Sequence, residues 1–515
     1  MMRTSKMLSI TALCGLALTA CEGNVPPPEV PTPPPPTAAP VAADPIGTAK
    51  PELPAPKAFE PPAPVVYKAA NGMNVWLLER HTLPMVSVTL ALPYGSASDP
   101  QGKEGLAHIT ADMLDEGAGS RDAVALSTAV NDLGAALHTG AGMDGSTVSL
   151  VVLKKNFKPA FDIFSDVVAR PRFDAKEWKR VSSLWQNDLQ KRAQDPGSVS
   201  RVAMAAALYG AGTPYGHPSN GLLSSATKVD LKAVKDFYAK HYRPDQATLV
   251  VAGDVTRAEL DAVLGPALDG WKASGKAAPP SPVGKPVASP PRLVLVDRPD
   301  APQSVLAVVR SGVAAADPKA PLLDLINTAL GGSFTSRLNQ DLREEHGWSY
   351  GAGSRFAETR GTGAFIAYAS VVTDATGQAA KAMLADLDKM ATAGLTPDEL
   401  DKVRAQDRAD LVQTYETVGS ISRRLGSLAV LGLPPAFDAN ASRSRQQASK
   451  SELDALAAAV SPNGATIVVV GPAAAVTPQL DAAGLGKPEL YDTEGNPLKA
   501  GAPEKPAKAA PKKKK

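Results

Sequence analysis

Between residues 64 and 487, short apolar runs bounded by glycine, proline and aspartate alternate with longer polar-apolar stretches. The runs are rich in β-branched side chains and too short for buried helices, so they read as strands: Val75–Leu78, Val86–Leu92, Thr147–Leu153 and Thr248–Ala252. A second set follows at Leu293–Val296, Val305–Val309, Gly363–Val371 and Thr466–Val470. From Asp174 and from Thr396, apolar residues recur near every 3.6 positions behind an acidic start, which predicts long helices with one face on a sheet. Strands with helices laid over them predict an α+β fold of α/β sandwich units, each a sheet covered by helices.

The two sets are copies of one unit. Ser87-Val88-Thr89-Leu90-Ala91-Leu92 with Asp99-Pro100 recurs as Ser304-Val305-Leu306-Ala307-Val308-Val309 with Asp317-Pro318. Ala247-Thr248-Leu249-Val250-Val251-Ala252-Gly253 recurs as Ala465-Thr466-Ile467-Val468-Val469-Val470-Gly471. Asp99 to Asp317 and Ala247 to Ala465 are both 218 residues apart. An equal offset at both ends marks a duplication of whole domains. A Pro/Gly/Ala/Lys stretch over 273–291 separates them, giving domains at 64–272 and 292–487.

The chain ends add a location. A basic start (Arg3, Lys6), an apolar run from Met7 to Leu18 and then Leu18-Thr19-Ala20-Cys21 read as a secretory signal over 1–20, since the run is too short to span a bilayer. The residues before Cys21 resemble a bacterial lipobox, which implies acylation of Cys21 and an exported lipoprotein of the cell envelope, facing the periplasm, with Glu22 leaning toward the outer membrane. Residues 21–63 are proline-dominated and read as a semi-rigid stalk; 488–515, ending in Lys512 to Lys515, read as a disordered Lys/Ala/Pro tail. The only cysteines are Cys14 and Cys21, so the body holds without disulfides. A net charge of +2 gives no general attraction to nucleic acid.

Candidate chemistry differs between the copies. Gly105-Leu106-Ala107-His108-Ile109-Thr110-Ala111-Asp112 in the first copy resembles the helix of the pitrilysin/insulinase family of zinc metallopeptidases, which carries His-x-x-Glu-His. Two histidines four apart share a helical face and hold one metal, and the glutamate activates its water. Here His108 is kept, the glutamate is Ala111 and the second histidine is Asp112. The family's third ligand, a glutamate on a later helix, falls on Asp188, 76 residues after Asp112. Alanine accepts no proton, so the family's hydrolysis has no base here. The resemblance therefore implies no metal bound by this chain, with His108, Asp112 and Asp188 as the set if there is one.

In the second copy, Gly331-Gly332-Ser333-Phe334-Thr335-Ser336-Arg337-Leu338 followed by Leu342-Arg343-Glu344 and Tyr350 is similar to the same family's C-terminal signature. There the tyrosine donates to the oxyanion and the arginine holds substrate carbonyls, across from the zinc half. His138, His217, His241 and His346 lack ligand spacing, and Trp178 with Trp185 reads as a helix stripe.

The family's two-domain members form clamshell dimers with a duplicated fold like that of the mitochondrial processing peptidase. The resemblance thus implies a non-catalytic subunit that supplies Arg343 and Tyr350 in trans to a homologous zinc-bearing partner, acting on peptide or unfolded protein, with zinc in the partner. The alternatives are a membrane-tethered scaffold without hydrolysis, and an active metallopeptidase with altered ligands.

Overall fold

A computed structural model describes residues 59–498. The signal, Cys21, most of the proline stalk and the lysine end lie outside the described residues.

Two six-stranded sheets carry the fold. The first contains β1 (Val65–Lys68), β2 (Asn74–Glu79), β3 (Met85–Leu92), β4 (Ala136–Ala141), β5 (Ser146–Leu153) and β6 (Thr248–Gly253), in the order β1-β2-β6-β3-β5-β4. The second contains β7 (Leu293–Asp297), β8 (Gln303–Ser311), β9 (Ser349–Phe356), β10 (Ala364–Val372), β11 (Thr466–Gly471) and β12 (Glu489–Tyr491), in the order β9-β10-β8-β11-β7-β12. Five strands correspond one to one. The sixth place is filled from opposite ends of the chain: β1 runs antiparallel to β2, whereas β12 runs parallel to β7. The expectation that everything from 488 onward is disordered is therefore corrected, because Tyr491 is buried against the Val294 and Val296 side of the sheet.

The helices that matter for the sites are α1 (Leu106–Asp112), α2 (Phe157–Ala169), α3 (Ala175–Arg192), α4 (Pro196–Tyr209) and α5 (Leu231–His241) in the first copy. The second has α6 (Ala320–Asn327), α7 (Arg337–Asn339), α8 (Thr376–Ala393), α9 (Pro397–Thr414) and α10 (Val418–Leu431). One face of each sheet packs on helices of its own copy: Phe161 and Phe164 of α2 meet Val88 and Leu90, and Met383 and Leu387 of α8 meet Leu306 and Val308.

The opposite faces are covered by exchange. Val199, Ala203 and Ala207 of α4 pack on Val294, Val296, Val468 and Val470 of the second sheet. Ile421, Leu425 and Leu428 of α10 pack on Trp76, Leu78, Val250 and Ala252 of the first. Central strands buried on both faces read as continuous apolar runs, as Leu249–Ala252 and Ile467–Val470 do. Gly426 permits the close approach, since a Cβ there would come within 2.7 Å of Thr89 Cγ2. Ser422 on α10 meets Ser87, hydroxyl to hydroxyl at 2.6 Å, so the polar atoms buried in this seam are paired.

The 273–291 segment has no regular structure but is built into the junction. Ser281 Oγ accepts from the Gly95 amide at 2.9 Å, and the Val287 amide donates to the Leu208 carbonyl at 2.8 Å. Beside it Tyr215 adopts a left-handed backbone (φ 71°), a conformation costing on the order of 1–3 kcal/mol for a residue of this kind. Its hydroxyl donates to Asp144 at 2.5 Å and accepts from the Gly361 amide at 3.0 Å, while Asp144 also accepts from the Arg360 amide. That network fastens one copy to the other and offsets the strain.

Candidate functional site

In the first copy, α1 begins at Gly105, whose φ of 100° turns the chain into the helix and whose missing side chain leaves room for the Trp185 ring. The buried carboxylate of Asp99 accepts from the Gly105 amide at 2.7 Å and the Ala107 amide at 2.8 Å, satisfying donors that the helix start leaves open. Burial pushes its carboxyl well up, against the pull of those amides. Leu106, Ala107, Ile109, Thr110 and Ala111 are buried, so His108 and Asp112 are left on the partly open face. They face each other, His108 Nε2 to Asp112 Oδ2 at 3.3 Å. Burial, opposed by His108, raises the Asp112 carboxyl, and Asp115 is pushed up to about 6 by burial and by Glu116.

Asp188 does not join them. On α3 the inward stripe is Val181, Trp185 and Leu189, and Asp188 lies about 100° round from Leu189, 69% exposed and paired with Lys191 at 3.2 Å. Among the described residues no group of three histidine, cysteine, aspartate or glutamate side chains could hold a metal ion. Zinc needs three converging protein donors and a base near its water; two facing side chains and a buried Ala111 do not fit it.

The second copy is arranged differently. Thr328–Gly332 and Gln340–Glu345 are wound as wide π-type turns, a local form that recurs at functional sites. Gly331 is required by packing: a Cβ there would sit 2.3 Å from the Ser354 amide of β9. Arg343 leaves the second of these turns with its guanidinium 4.5 Å over the Phe334 ring and its Nε 3.5 Å from Glu344. Tyr350 lies in a β-bulge, because Tyr350 and Gly351 together oppose Ser370 between the Ser349–Val371 and Ala352–Ala369 pairs. Bulges re-aim side chains, and the Tyr350 ring is 91% exposed on the edge strand β9.

Asn339, which the sequence did not single out, ties this region together. Its Nδ2 donates to the Phe334 carbonyl at 2.6 Å and its Oδ1 accepts from the Ala352 amide at 3.2 Å, so one buried amide sets the loop against the bulged strand. Its place directly after Ser-Arg-Leu was the available signal. The contacts of Arg343 stay within its own copy, and neither it nor Tyr350 meets His108 or Asp112 in an ion pair or hydrogen bond among the described residues.

The remaining candidates are structural. His217 is buried beside the Pro218 carbonyl and burial lowers its pKa; His241 packs between Tyr94 and Phe237 and is pushed down to about 4, chiefly by burial. His138 stands on the edge strand β4 opposite Ser149, and His346 stacks on Trp348 at 4.0 Å. Trp185 is core, with Trp178 packed against it.

A family model described as insulinase (peptidase family M16) matches residues 74–215, and one described as the peptidase M16 inactive domain matches 228–406. An uncharacterized zinc protease of Streptomyces coelicolor is 24% identical over 352 residues, spanning 67% of this chain and 76% of that protein. One from Mycobacterium tuberculosis strain H37Rv is 26% identical over 342 residues, spanning 66% and 77%. Among solved structures, a peptidase M16 inactive domain from Pseudomonas fluorescens superposes with a TM-score of 0.72 at 26% identity, covering 79% of this chain and 98% of that one. A protease from Helicobacter pylori shares the fold at a TM-score of 0.75 and 18% identity, covering 79% and 99%. With both copies matched in order and the same duplicated architecture, the chain belongs to the pitrilysin/insulinase (M16) family of peptidases, as a member whose zinc motif is degenerate.

Proposed function

We propose that this chain is the non-catalytic subunit of a two-chain zinc peptidase, presenting Arg343 and Tyr350 to a homologous partner that carries the metal. The observation that carries the reading is an asymmetry: Tyr350 is 91% exposed on a bulged edge strand with Arg343 nearby in the same signature, while the metal half offers two facing side chains and a buried Ala111. A phenol held out to solvent serves no packing purpose in this fold. It suits donation to a carbonyl oxygen as negative charge develops there, and the guanidinium suits a second carbonyl of the same peptide.

The substrate in this reading is an extended peptide or unfolded segment. The outer strands β4 and β9 leave sheet edges open, where an extended chain gains backbone hydrogen bonds without any sequence requirement. The partner supplies the metal and the hydrolytic step; this chain binds and polarises. We place the complex at the bacterial envelope, tethered through acylated Cys21, so that Cys21→Ser moves the protein from the membrane fraction to the soluble one.

The test is reconstitution. A homologue with an intact His-x-x-Glu-His, sought first in the adjacent reading frames, is purified alone and together with this chain, and hydrolysis of a quenched peptide is followed. The reading requires association and activity of the mixture well above either chain alone. Association without gain favours the scaffold role, and stoichiometric zinc with activity in this chain alone would overturn both.

A further inference from the structure

Behind Phe334 and Arg343, the second copy holds a half-open cavity of about 680 Å³ between the glycine loop, α7, α8 and α9. That volume is typical of sites that hold a small ligand or a large side chain. Phe334 lines the cavity and also carries the Arg343 guanidinium on its ring, so the cavity mouth adjoins the proposed peptide-binding face.

The charges in its wall do not balance. Arg337 donates from Nε and Nη2 to the two Glu399 oxygens at 2.7 Å each and from Nη2 to the Gly394 carbonyl at 2.8 Å, while its buried Nη1 has no hydrogen-bond partner among the described residues. Lys402 reaches the Thr335 carbonyl at 3.3 Å at the rim. Asp386, projecting from α8, has a buried Oδ2 that accepts no hydrogen bond among the described residues. Burial first, then the charge of Asp341, pushes its carboxyl up to about 6, with Glu345 adding to the rise and Arg337 and Lys389 opposing it. Burial raises the Asp341 carboxyl as well, against the pull of His346, whose Nε2 lies 3.2 Å from its Oδ1. Four carboxylates, Asp341, Glu345, Asp386 and Glu399, thus line the cavity against three cations, Arg337, Lys389 and Lys402.

We propose that this cavity is a subsite for an organic cation, the ammonium or guanidinium end of a lysine or arginine side chain on the peptide held at Arg343 and Tyr350. This rests on the peptide-binding reading above. Ala382, Ala385 and Val403 line it with apolar surface suited to the methylene stem, and Asp386 with Asp341 supplies the counter-charge for the head group.

The test is equilibrium binding of fluorescent extended peptides to the full chain, followed by anisotropy. Peptides with one arginine or lysine should bind at least about tenfold more tightly than those with citrulline or norleucine in its place, a difference of about 1.4 kcal/mol. Asp386→Asn should erase that preference while leaving the citrulline peptide unchanged, with a thermal melt as the control for folding; Asp341→Asn should weaken it in part. Because the empty-site carboxyl is neutral below about pH 6, the preference should fade between pH 7.5 and 5. Tight binding with no basic preference, or a preference untouched by Asp386→Asn, overturns the subsite and leaves the peptide-binding face standing. Failure of every peptide to bind overturns both.

Discussion

The two copies share strand order and helix placement but put their polar chemistry in opposite surroundings. In the first, the helix that corresponds to a zinc helix is packed into the core, with Ala111 fully buried and His108 paired to Asp112. In the second, the corresponding layer carries the glycine loop and ends in a bulged edge strand that holds Tyr350 in solvent. Packing constrains the buried face of a helix, whereas the identity of its half-open residues is free to drift. The first copy thus combines the family fold with a degenerate zinc motif in which the buried position carries Ala111 and the half-open ones carry His108 and Asp112. In the second copy Arg343 rests on the Phe334 ring, whereas Tyr350 stands in solvent with no packing role.

The strongest way to break the comparison is at the exchanged helices, since it treats the copies as one body. Leu425 of α10 is fully buried on the first sheet, so Leu425→Asp should cost more than about 4 kcal/mol and unfold both copies in a single transition. Denaturant curves read by tryptophan fluorescence check this; survival of one folded half would show the copies to be independent. Asn339→Ala removes two buried hydrogen bonds and should cost about 2–3 kcal/mol by urea unfolding.

A finer contrast lies in the duplicated aspartates. Asp99 is buried on two amides of α1, whereas Asp317 accepts from the Lys319 amide alone at 2.8 Å in a more open setting. Asp99→Ala should cost about 2 kcal/mol and Asp317→Ala under about 1 kcal/mol in the same assay. The smallest effect is one of pH. Burial pushes the Asp324 carboxyl up to about 6, against the pull of Arg445, so the folded chain holds that proton more tightly than the unfolded one. Its contribution is then most favourable below about pH 4, declines through pH 6 and stays unfavourable above. Asp324 is itself exposed to solvent, which screens the effect, so Asp324→Asn should stabilise by only about 0.5 kcal/mol at pH 8 and by nothing at pH 4.

The central strands of both sheets were legible from their apolar runs, and the duplication from two equal offsets, because burial on both faces leaves an unbroken signal. The edge strands were not. Ala136–Ala141 and Ser349–Phe356 contain glycine and polar residues with no alternation, since an edge half in water does not demand it. The helix exchange was equally hidden: Ile421 and Leu425 show an amphipathic face but nothing about which sheet it covers. At the sites, residue types were readable and their orientation was not. Asp188 stood at a plausible spacing, yet one helical step turns it to solvent while Leu189 takes the inward place. Asn339 matters because it bridges a loop and a strand 5 and 13 residues away, and Asp386 because it faces a cavity built from several elements, neither of which spacing can show.

The central claim is that Tyr350 acts outward, in a partner's active site. Its hydroxyl supports no packing in this chain, so Tyr350→Phe should leave the melting temperature and the association with the zinc-bearing homologue unchanged. In the reconstituted pair, kcat for a quenched peptide should fall about 10²- to 10³-fold, the usual cost of losing one oxyanion donor. An unchanged kcat in an intact complex would contradict the account.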